Sequence, residues 1–463
     1  MKRIATLVLT IIFTIVITVT AFANDKKSDS TSNGKVAKAK KEKPTNEKGE
    51  IIKEGWNFGP LPAIGYVSAL GFQVGALCDI FYYGDGSKYP EYLHKMNVEV
   101  SFYTGARALT VHAFYDSKYL LPHNIRLTSA VTYLRDELAN FYGFNGFASP
   151  FLTKKELIAD GLNDKSFYRI KREMLRAFAD FQGKLGKKLG WVAGFTYWYY
   201  KIGEPTLKNY NTLPNLYQYY TDAGIIPGHD KNGGNHIEIK LGLTYDTRDL
   251  EADPTKGLCA ELLLYASPDV IDRRSNSYLN FYASFRHYVR IYKDYLTFAY
   301  KVAYQGNVAG NIPFYMQQNL ATLYLKRLRY EGLGGHVSIR GLPLDRVVGK
   351  GYAWANIELR YRFVRFKLIK QNWQLVLNPF FDMGLVTQKY NLPQMKAAEG
   401  FALNPATGKS LIYSGDKESL HMSTGLGLKI VMNRNFAISA EWGISLDKRE
   451  KNNGVSIGLN YIF

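Results

Sequence analysis

The chemically reactive side chains of this chain do not form a recognisable catalytic pattern. The eight histidines lack metal-ligand spacing, and neither a GxSxG nor an HExxH motif occurs. Asp246, Arg248 and Asp249 could exchange protons, but turn-capping ion pairs explain the same residues better. Cys78 and Cys259 lie far apart and give neither a zinc pattern nor a disulfide framework. We expect no enzyme, metal or cofactor, and an active site assembled from distant strands is the alternative.

One pair of charged residues has a clearer use, which is binding rather than catalysis. Arg340 lies in a long connection at 307–350, and Asp382 lies in the segment NPFFDMGLV at 378–386. An arginine on a loop that folds into an interior is costly unless it is paired. A carboxylate on an inward strand face can accept a bidentate bond from it. We therefore expect Arg340 and Asp382 to pair and to hold the loop inside the protein.

The elements that must position this pair are strands with alternating faces. In the segments 236–245 and 353–363, charged residues alternate with Ile, Leu, Tyr and Phe. Charges at period two opposite an apolar face suit a barrel with a wet interior and a lipid-facing exterior. A soluble sandwich is the alternative, and it would place the charges outward around a dry core.

The spacing predicts an all-β fold: a sixteen-stranded antiparallel transmembrane β-barrel with long extracellular loops, one of them folded into the lumen. Sixteen candidate strands follow one another, from 61–70 to 454–463, and the even number is typical of bacterial barrels. The connections alternate in length. The long ones, expected at the extracellular end, are 138–165, 202–234, 307–350 and 388–419.

The last strand, GVSIGLNYIF, is apolar on one face and polar on the other. Leu459, Tyr461 and Phe463 belong to the apolar face, which we expect to point to lipid. We predict that these three residues form the C-terminal signal by which the chain is itself inserted. An amphipathic edge strand of a soluble sandwich is the alternative for this segment.

The N-terminal region predicts export. Lys2 and Arg3 precede an apolar run, and Ala21-Phe22-Ala23 provides small residues for cleavage, so residues 1–23 are predicted to be a cleaved signal peptide. A retained membrane helix is the alternative. Residues 24–54 are rich in Lys, Ser, Asn and Glu and are predicted to be a disordered periplasmic tether. The barrel is expected over 55–463, in the bacterial outer membrane.

The composition limits the classes of partner that this chain is expected to bind. The formal net charge is +19, which is compatible with phosphate-bearing lipid headgroups of the outer membrane and equally with a solvated basic surface. Nucleic acid is not expected as a partner of an exported chain. The aromatic content of 14% fits girdles at the two membrane interfaces.

Taken together, the motifs resemble the BamA/TamA outer-membrane assembly and translocation superfamily. Ile339-Arg340-Gly341-Leu342 matches the arginine-glycine motif of the sixth extracellular loop, and Phe380, Asp382 and Gly384 match the phenylalanine-x-aspartate-x-glycine motif of strand 13. The chain also ends on Phe463. Further similarities are FYGFNG at 141–146 and YDTRDLEADPTKG at 245–257. The resemblance implies a loop–lumen lock formed by Arg340, Gly341, Asp382 and Gly384.

Two departures from the family pattern concern the loop tip and the N-terminus. Leu342 stands where the family usually has an aromatic residue, and residues 24–54 are too few for a substrate-docking POTRA domain. We therefore expect a barrel-only member, which leaves room for a separate periplasmic docking partner.

The resemblance implies that the barrel assists insertion or translocation of proteins or lipids through a lateral seam between its first and last strands. A nascent membrane protein or a lipid would be the client. A passive pore and a structural surface protein are the alternatives, and the position of the 307–350 loop distinguishes the pore from the pinned barrel.

Overall fold

Strands with one apolar and one polar face build more than half of the described chain. The computed structural model describes residues 45, 51–67, 70–207, 210, 214–320, 332–336, 338–368, 371–434, 436–450, 452–459 and 463. The predicted signal peptide and most of the predicted tether lie outside these residues. The chain divides into residues 1–52 and residues 53–463, and every element below belongs to the second unit.

The described residues contain seventeen strands in a single antiparallel sheet. They are β1 (Trp56–Pro62), β2 (Gly65–Val67), β3 (Gly71–Tyr82), β4 (His94–Tyr103), β5 (Ala108–Ser117), β6 (Arg126–Asn140), β7 (Arg169–Lys184), β8 (Leu189–Gly203), β9 (Gly233–Asp246), β10 (Gly257–Ser267), β11 (Tyr278–Tyr292), β12 (Leu296–Gly310), β13 (Gly351–Leu368), β14 (Gln371–Gln388), β15 (His421–Met432), β16 (Phe436–Ser445) and β17 (Asn453–Leu459).

The sheet closes on itself as a barrel of sixteen strands, which confirms the predicted fold. β1 and β2 count as one barrel strand because both pair with β3 in a single register, interrupted only at Ala63 and Ile64. Closure comes from antiparallel pairing of β17 with β2. The predicted first strand, 61–70, is wrong at its start, since the pairing begins at Trp56.

The inner and outer faces follow the period-two pattern of the sequence. On β13, Asn356, Glu358 and Arg360 are buried toward the lumen, whereas Ile357 and Leu359, between them, are half-buried on the outer face. Exposed apolar residues continue around the exterior. Examples from β9 and β10 are Leu241, Leu243, Leu262 and Leu264. Among the described residues, no helix is long and apolar enough to cross a membrane.

Up-and-down connectivity places the long connections at one end of the barrel, here called the long-loop end, and the other connections at the short-turn end. Three short α-helices of the described residues lie in the long connections. They are α1 (Lys154–Ala159), α2 (Leu216–Asp222) and α3 (Leu392–Ala397). Thr153 and Glu156 cap α1 reciprocally.

A cluster of buried aromatic side chains holds these connections together at the long-loop end. Its members include Phe141, Phe144, Tyr217, Tyr220, Phe314 and Tyr390. Phe144 packs at 4.5 Å from Tyr390 and at 5.6 Å from Tyr220, measured between ring centroids. Aromatic pairs at these separations add stabilisation beyond their buried area. The two cysteines are free thiols, Cys78 on β3 and Cys259 on β10.

Candidate functional site in the barrel lumen

The connection between β12 and β13 folds back into the barrel. Leu333 and Val347 pair through two backbone hydrogen bonds of 2.9 Å, which closes the tip into a hairpin. Ile339, Leu342 and Leu333 are buried in one apolar cluster with residues of the barrel wall. The wall residues lie on β8 and on β10 to β14: Val192, Leu263, Tyr282, Ala303, Trp354 and Val386. The tip is therefore packed against the inner wall, and Leu342 is buried in this cluster although it is not aromatic.

Arg340 is the central polar residue of the tip. Its Nε donates to Asp382 Oδ2 at 2.8 Å, and its Nη2 donates to Asp382 Oδ1 at 2.9 Å. The backbone N–H of Arg340 also donates to Asp382 Oδ2 at 3.0 Å. The guanidinium stacks on Phe380, with 3.6 Å between Cζ and the ring centroid. The structure thus brings the two motif residues into one bidentate, fully buried pair.

Further charges surround the pair. Nη1 of Arg340 donates to Glu358 on β13 at 2.7 Å and to Glu441 on β16 at 3.1 Å. Arg360 donates to Glu358 at 2.8 Å, and Lys429 donates to Glu441 at 2.6 Å. All these side chains are buried. In these described contacts three cations meet three carboxylates, and Arg340 contacts all three carboxylates.

Asn356 completes the site. Its Nδ2 donates to the Ser338 carbonyl at 2.6 Å and to Asp382 Oδ1 at 2.9 Å. One wall residue therefore binds both the loop backbone and the carboxylate that holds the loop. The hydrogen bond from Asn356 helps to orient the Asp382 carboxylate toward Arg340.

Glycine allows the loop tip to touch the wall beside the seam. Gly341 has a φ of +95°, and a Cβ there would lie 2.6 Å from the Gly443 carbonyl carbon on β16. Asn452, just before β17, donates to the Gly341 carbonyl at 2.7 Å. At Gly384, a Cβ would come within 2.8 Å of Leu333. Gly341 and Gly384 are therefore needed for close approach of the loop to the wall.

A second anchor ties the tip to the opposite side of the barrel. Arg172 on β7 lies 3.3 Å from Asp345 of the loop and 3.0 Å from Asp136 on β6. Asn140, at the end of β6, donates to the Leu344 carbonyl at 3.0 Å. The loop is consequently fixed at both walls.

A third anchor joins the loop to the connections at the long-loop end. Arg346 Nε donates to Glu450 at 2.9 Å, and Glu450 lies 2.6 Å from His421 Nδ1. Glu418 accepts from the backbone N–H groups of Phe147 and Val386. Burial by itself would raise the pKa of Glu450, but Arg346 and His421 hold it below its usual value. Glu450 therefore stays ionised at neutral pH.

The FYGFNG segment takes part in this anchor. The side-chain amide of Asn145 accepts a hydrogen bond from the Tyr390 N–H at 2.7 Å and donates one to the Tyr390 carbonyl at 2.8 Å. The backbone N–H of Asn145 donates to the Val348 carbonyl at 2.6 Å. Phe147, which follows it, is stacked between the His421 ring and the Arg449 guanidinium. Asn145 thus joins its own loop and the β14–β15 connection to Val348, near the end of the pinned connection.

The YDTRDLEADPTKG segment forms the turn between β9 and β10. Arg248 pairs with Asp246 at 2.6 Å, and Asp249 accepts from Thr255, so the predicted turn-capping cluster is confirmed. The same turn reaches across the short-turn end. Glu251 pairs with Arg126 at 2.8 Å, and Asp253 pairs with Arg362 at 2.6 Å.

The described part of the ladder at the seam is short. Within the described residues, β2 and β17 pair at Tyr66↔Ile457 and Val67↔Ser456. By comparison, seven residue pairs join β16 to β17, and ten join β3 to β4. The seam is thus the weakest junction described between neighbouring barrel strands.

The expectation for Phe463 is wrong in one respect. Phe463 does not face lipid but is buried against Tyr288 and Ala299, and Arg360 donates to its carbonyl at 2.8 Å. Residues 460–462, between the described end of β17 and Phe463, lie outside the described residues. Tyr461 and the side chain of Leu459 lie outside the described residues.

Several residues of the site were not predicted. Alternation predicted that Glu358 and Arg360 face the lumen, but it did not predict that they join Glu441 around Arg340. Asp345, Arg346 and Glu450 lie in loops, where no periodicity reveals a partner. In the part of the chain that is described, no group of His, Cys, Asp and Glu residues is arranged to hold a metal ion.

Comparison with known proteins agrees with this geometry. A family model described as the Omp85 superfamily domain matches residues 96–463. The crystal structure of BamA from Haemophilus ducreyi lacking POTRA domains 1–3 is 14% identical, with 88% of this chain and 70% of that chain covered and a TM-score of 0.50. CdiB from Escherichia coli is 10% identical, with 90% and 66% covered and a TM-score of 0.53. These identities establish similarity of fold alone. No curated protein matches the chain.

Proposed function

This chain belongs to the Omp85 superfamily, and we propose that it assists insertion or translocation of proteins or lipids at the outer membrane through the seam between its first and last strands. The proposal includes export by the 1–23 signal peptide and a tether at 24–54. It also includes insertion of the chain itself through a C-terminal signal of Leu459, Tyr461 and Phe463.

The short seam is the observation that carries the proposal. Backbone N–H and C=O groups exposed to lipid cost several kcal/mol each, so a long ladder would hold the barrel closed. The described pairing of β2 with β17 comprises two residue pairs. Opening this junction therefore exposes few groups, and an incoming strand can satisfy those that it does expose.

The pinned loop is the second support. Its tip contacts Gly443 on β16 and accepts a hydrogen bond from Asn452 beside β17, so the loop–lumen lock touches the wall next to the seam. The lock of Arg340, Gly341, Asp382 and Gly384 would then support β16 while β17 moves. A loop that spans the lumen also argues against a passive pore of open cross-section.

The test is to close the seam chemically. In a background with Cys78→Ala and Cys259→Ala, a disulfide between Val67→Cys and Ser456→Cys joins β2 to β17 at a pair that is already opposed. The protein is reconstituted in vesicles, and a second, urea-unfolded copy of the same chain is added as the client. Insertion of the client is read from its protease protection.

A matched control places the disulfide between Leu262→Cys and Ala283→Cys, which are opposed in the β10–β11 hairpin. We expect oxidation to abolish client insertion only in the seam variant, and reduction to restore it. Equal insertion by the oxidised and reduced seam variants would refute the proposal.

A further inference from the structure

The backbone phase of the first barrel strand can be read from its pairing with β3. Ala63 donates to Gly75 at 2.9 Å, and Tyr83 donates to Gly55 at 3.0 Å. Both bonds belong to the register in which Trp56 opposes Tyr82 and Pro62 opposes Ala76. Because hydrogen-bonded pairs alternate along an antiparallel ladder, odd-numbered residues of β1 bond to β3. Even-numbered residues therefore direct their N and C=O groups toward the seam.

The seam pairing has the same phase. Tyr66, an even-numbered residue, opposes Ile457. If this register continued toward the short-turn end, Ile64 would oppose Leu459, position 62 would oppose position 461, and position 60 would oppose position 463. Positions 60 and 62 are both proline.

Proline has no backbone N–H, so it cannot donate to a neighbouring strand. Pro60 and Pro62 therefore remove two donors from the seam-facing edge of β1 and leave only their carbonyl groups. The position of Phe463 is consistent with the absence of these two donors. Phe463, which would oppose Pro60, is instead buried against Tyr288 and bonded to Arg360.

We infer that Pro60 and Pro62 determine how far a strand can pair along the seam. An added strand, whether β17 or a client strand, is held at Tyr66 and Val67, where β2 pairs with β17, and is released toward the short-turn end. The inference rests on the proposed function for its client and names the residues that limit client pairing. Prolines on a sheet edge are a known means of preventing strand addition.

Disulfide trapping measures the length of the seam directly, in vesicles that contain no client. In the background without Cys78 and Cys259, one variant carries Val67→Cys with Ser456→Cys, and a second carries Leu61→Cys with Ile462→Cys. If the register of Tyr66 and Ile457 continued, the second pair would share it, and both pairs would be non-hydrogen-bonded pairs, which are the closer kind. We expect efficient oxidation of the first pair and little of the second.

The second pair is then tested with Pro60→Val and Pro62→Val, singly and together. Two restored donors are expected to raise its disulfide yield about tenfold at early times. Phe58→Val is the matched control, because position 58 faces the seam but already carries an N–H. Heat-modified migration in gels shows that each variant is folded, and the single variants serve if the double variant does not fold.

Equal oxidation of both pairs in the native sequence would overturn the inference, as would a second pair that does not respond to the proline changes. These outcomes are independent of the proposed function because no client is present. Client insertion is then measured with the same variants. If Pro60→Val and Pro62→Val fold normally but insert the client more slowly, limited pairing at the seam serves client release. Unchanged insertion would show that the prolines have no role in client release.

Discussion

Replacing Arg340 by alanine is the perturbation whose effect can best be worked out from the structure. Arg340 is buried, makes three hydrogen bonds to Asp382, and donates one each to Glu358 and Glu441. One of the three bonds to Asp382 comes from the backbone and survives the change. The side-chain bonds and the stacking on Phe380 are lost.

The expected cost is large because the buried carboxylates lose a shared partner. Among the described contacts, Asp382, Glu358 and Glu441 would keep Arg360 and Lys429 as cations and would lose the one cation that contacts all three carboxylates. Removing one partner of a buried ion pair costs about 3–5 kcal/mol. A loss of about 4 kcal/mol changes the ratio of pinned to released loop roughly a thousandfold.

Two assays report the release. Planar-bilayer recordings measure whether the lumen conducts, and limited proteolysis measures cleavage within the 311–350 connection. Arg340→Ala and Asp382→Ala are both expected to raise conductance and cleavage. Arg340→Lys should be intermediate, because lysine keeps the charge but not the fork geometry.

Arg135→Ala is a suitable control, since Arg135 pairs with Glu137 at 2.7 Å but is a third exposed. Exposed pairs contribute about 0–1 kcal/mol, so this variant should behave like the native protein. Native conductance and native protease resistance in both Arg340→Ala and Asp382→Ala would refute the reasoning and favour a passive pore.

Three further outcomes are expected. Gly341→Ala should increase cleavage of the pinned loop, because the added Cβ meets backbone at 2.6 Å and the φ of +95° suits glycine, whereas Gly400→Ala, with open space around it, should not. Burial alone would raise the pKa of Glu251, but the positive charges of Arg126, Lys118 and Arg248 lower it below its usual value. The stability from Glu251 is therefore full above about pH 4.3 and is lost as the pH falls through the lowered pKa. Thermal unfolding from pH 6 to pH 2 should show a smaller acid loss for Glu251→Gln, and equal losses would contradict this origin. Deleting Phe463 should reduce the heat-modifiable protein in outer-membrane fractions and increase periplasmic degradation, and an unchanged amount would argue against a C-terminal insertion signal.

The wall of the barrel was predictable because one physical constraint acts on every strand. A residue that faces lipid must be apolar, and its neighbours along the strand face a wet lumen. The alternation of the sequence therefore indicates that Glu358 and Arg360 point inward. The same constraint identified the inward side of Asp382. Loop residues carry no such signal. Asp345 and Arg346 find partners only after the loop has folded across the lumen.

The two ends of the ring were predicted less well, for a physical reason. Pro60 and Pro62 lack backbone N–H groups and are therefore unusual in a strand with neighbours on both sides. The first strand tolerates them because its seam-facing edge does not need N–H donors at these positions. At the other end, alternation predicted a lipid-facing Phe463. Beyond Leu459, however, no described ladder holds the chain, and the aromatic terminus binds Arg360 and Tyr288 instead.

The central claim is that clients engage the seam, and site-specific photocrosslinking in intact cells tests it most directly. A photoreactive amino acid is placed at Tyr66 on β2 or Ile457 on β17, with Leu264 on β10 as an exposed, outward control. We expect adducts with nascent membrane proteins or lipid carriers at both seam positions, well above those at Leu264. Equal capture at all three positions, or none at the seam, would contradict it.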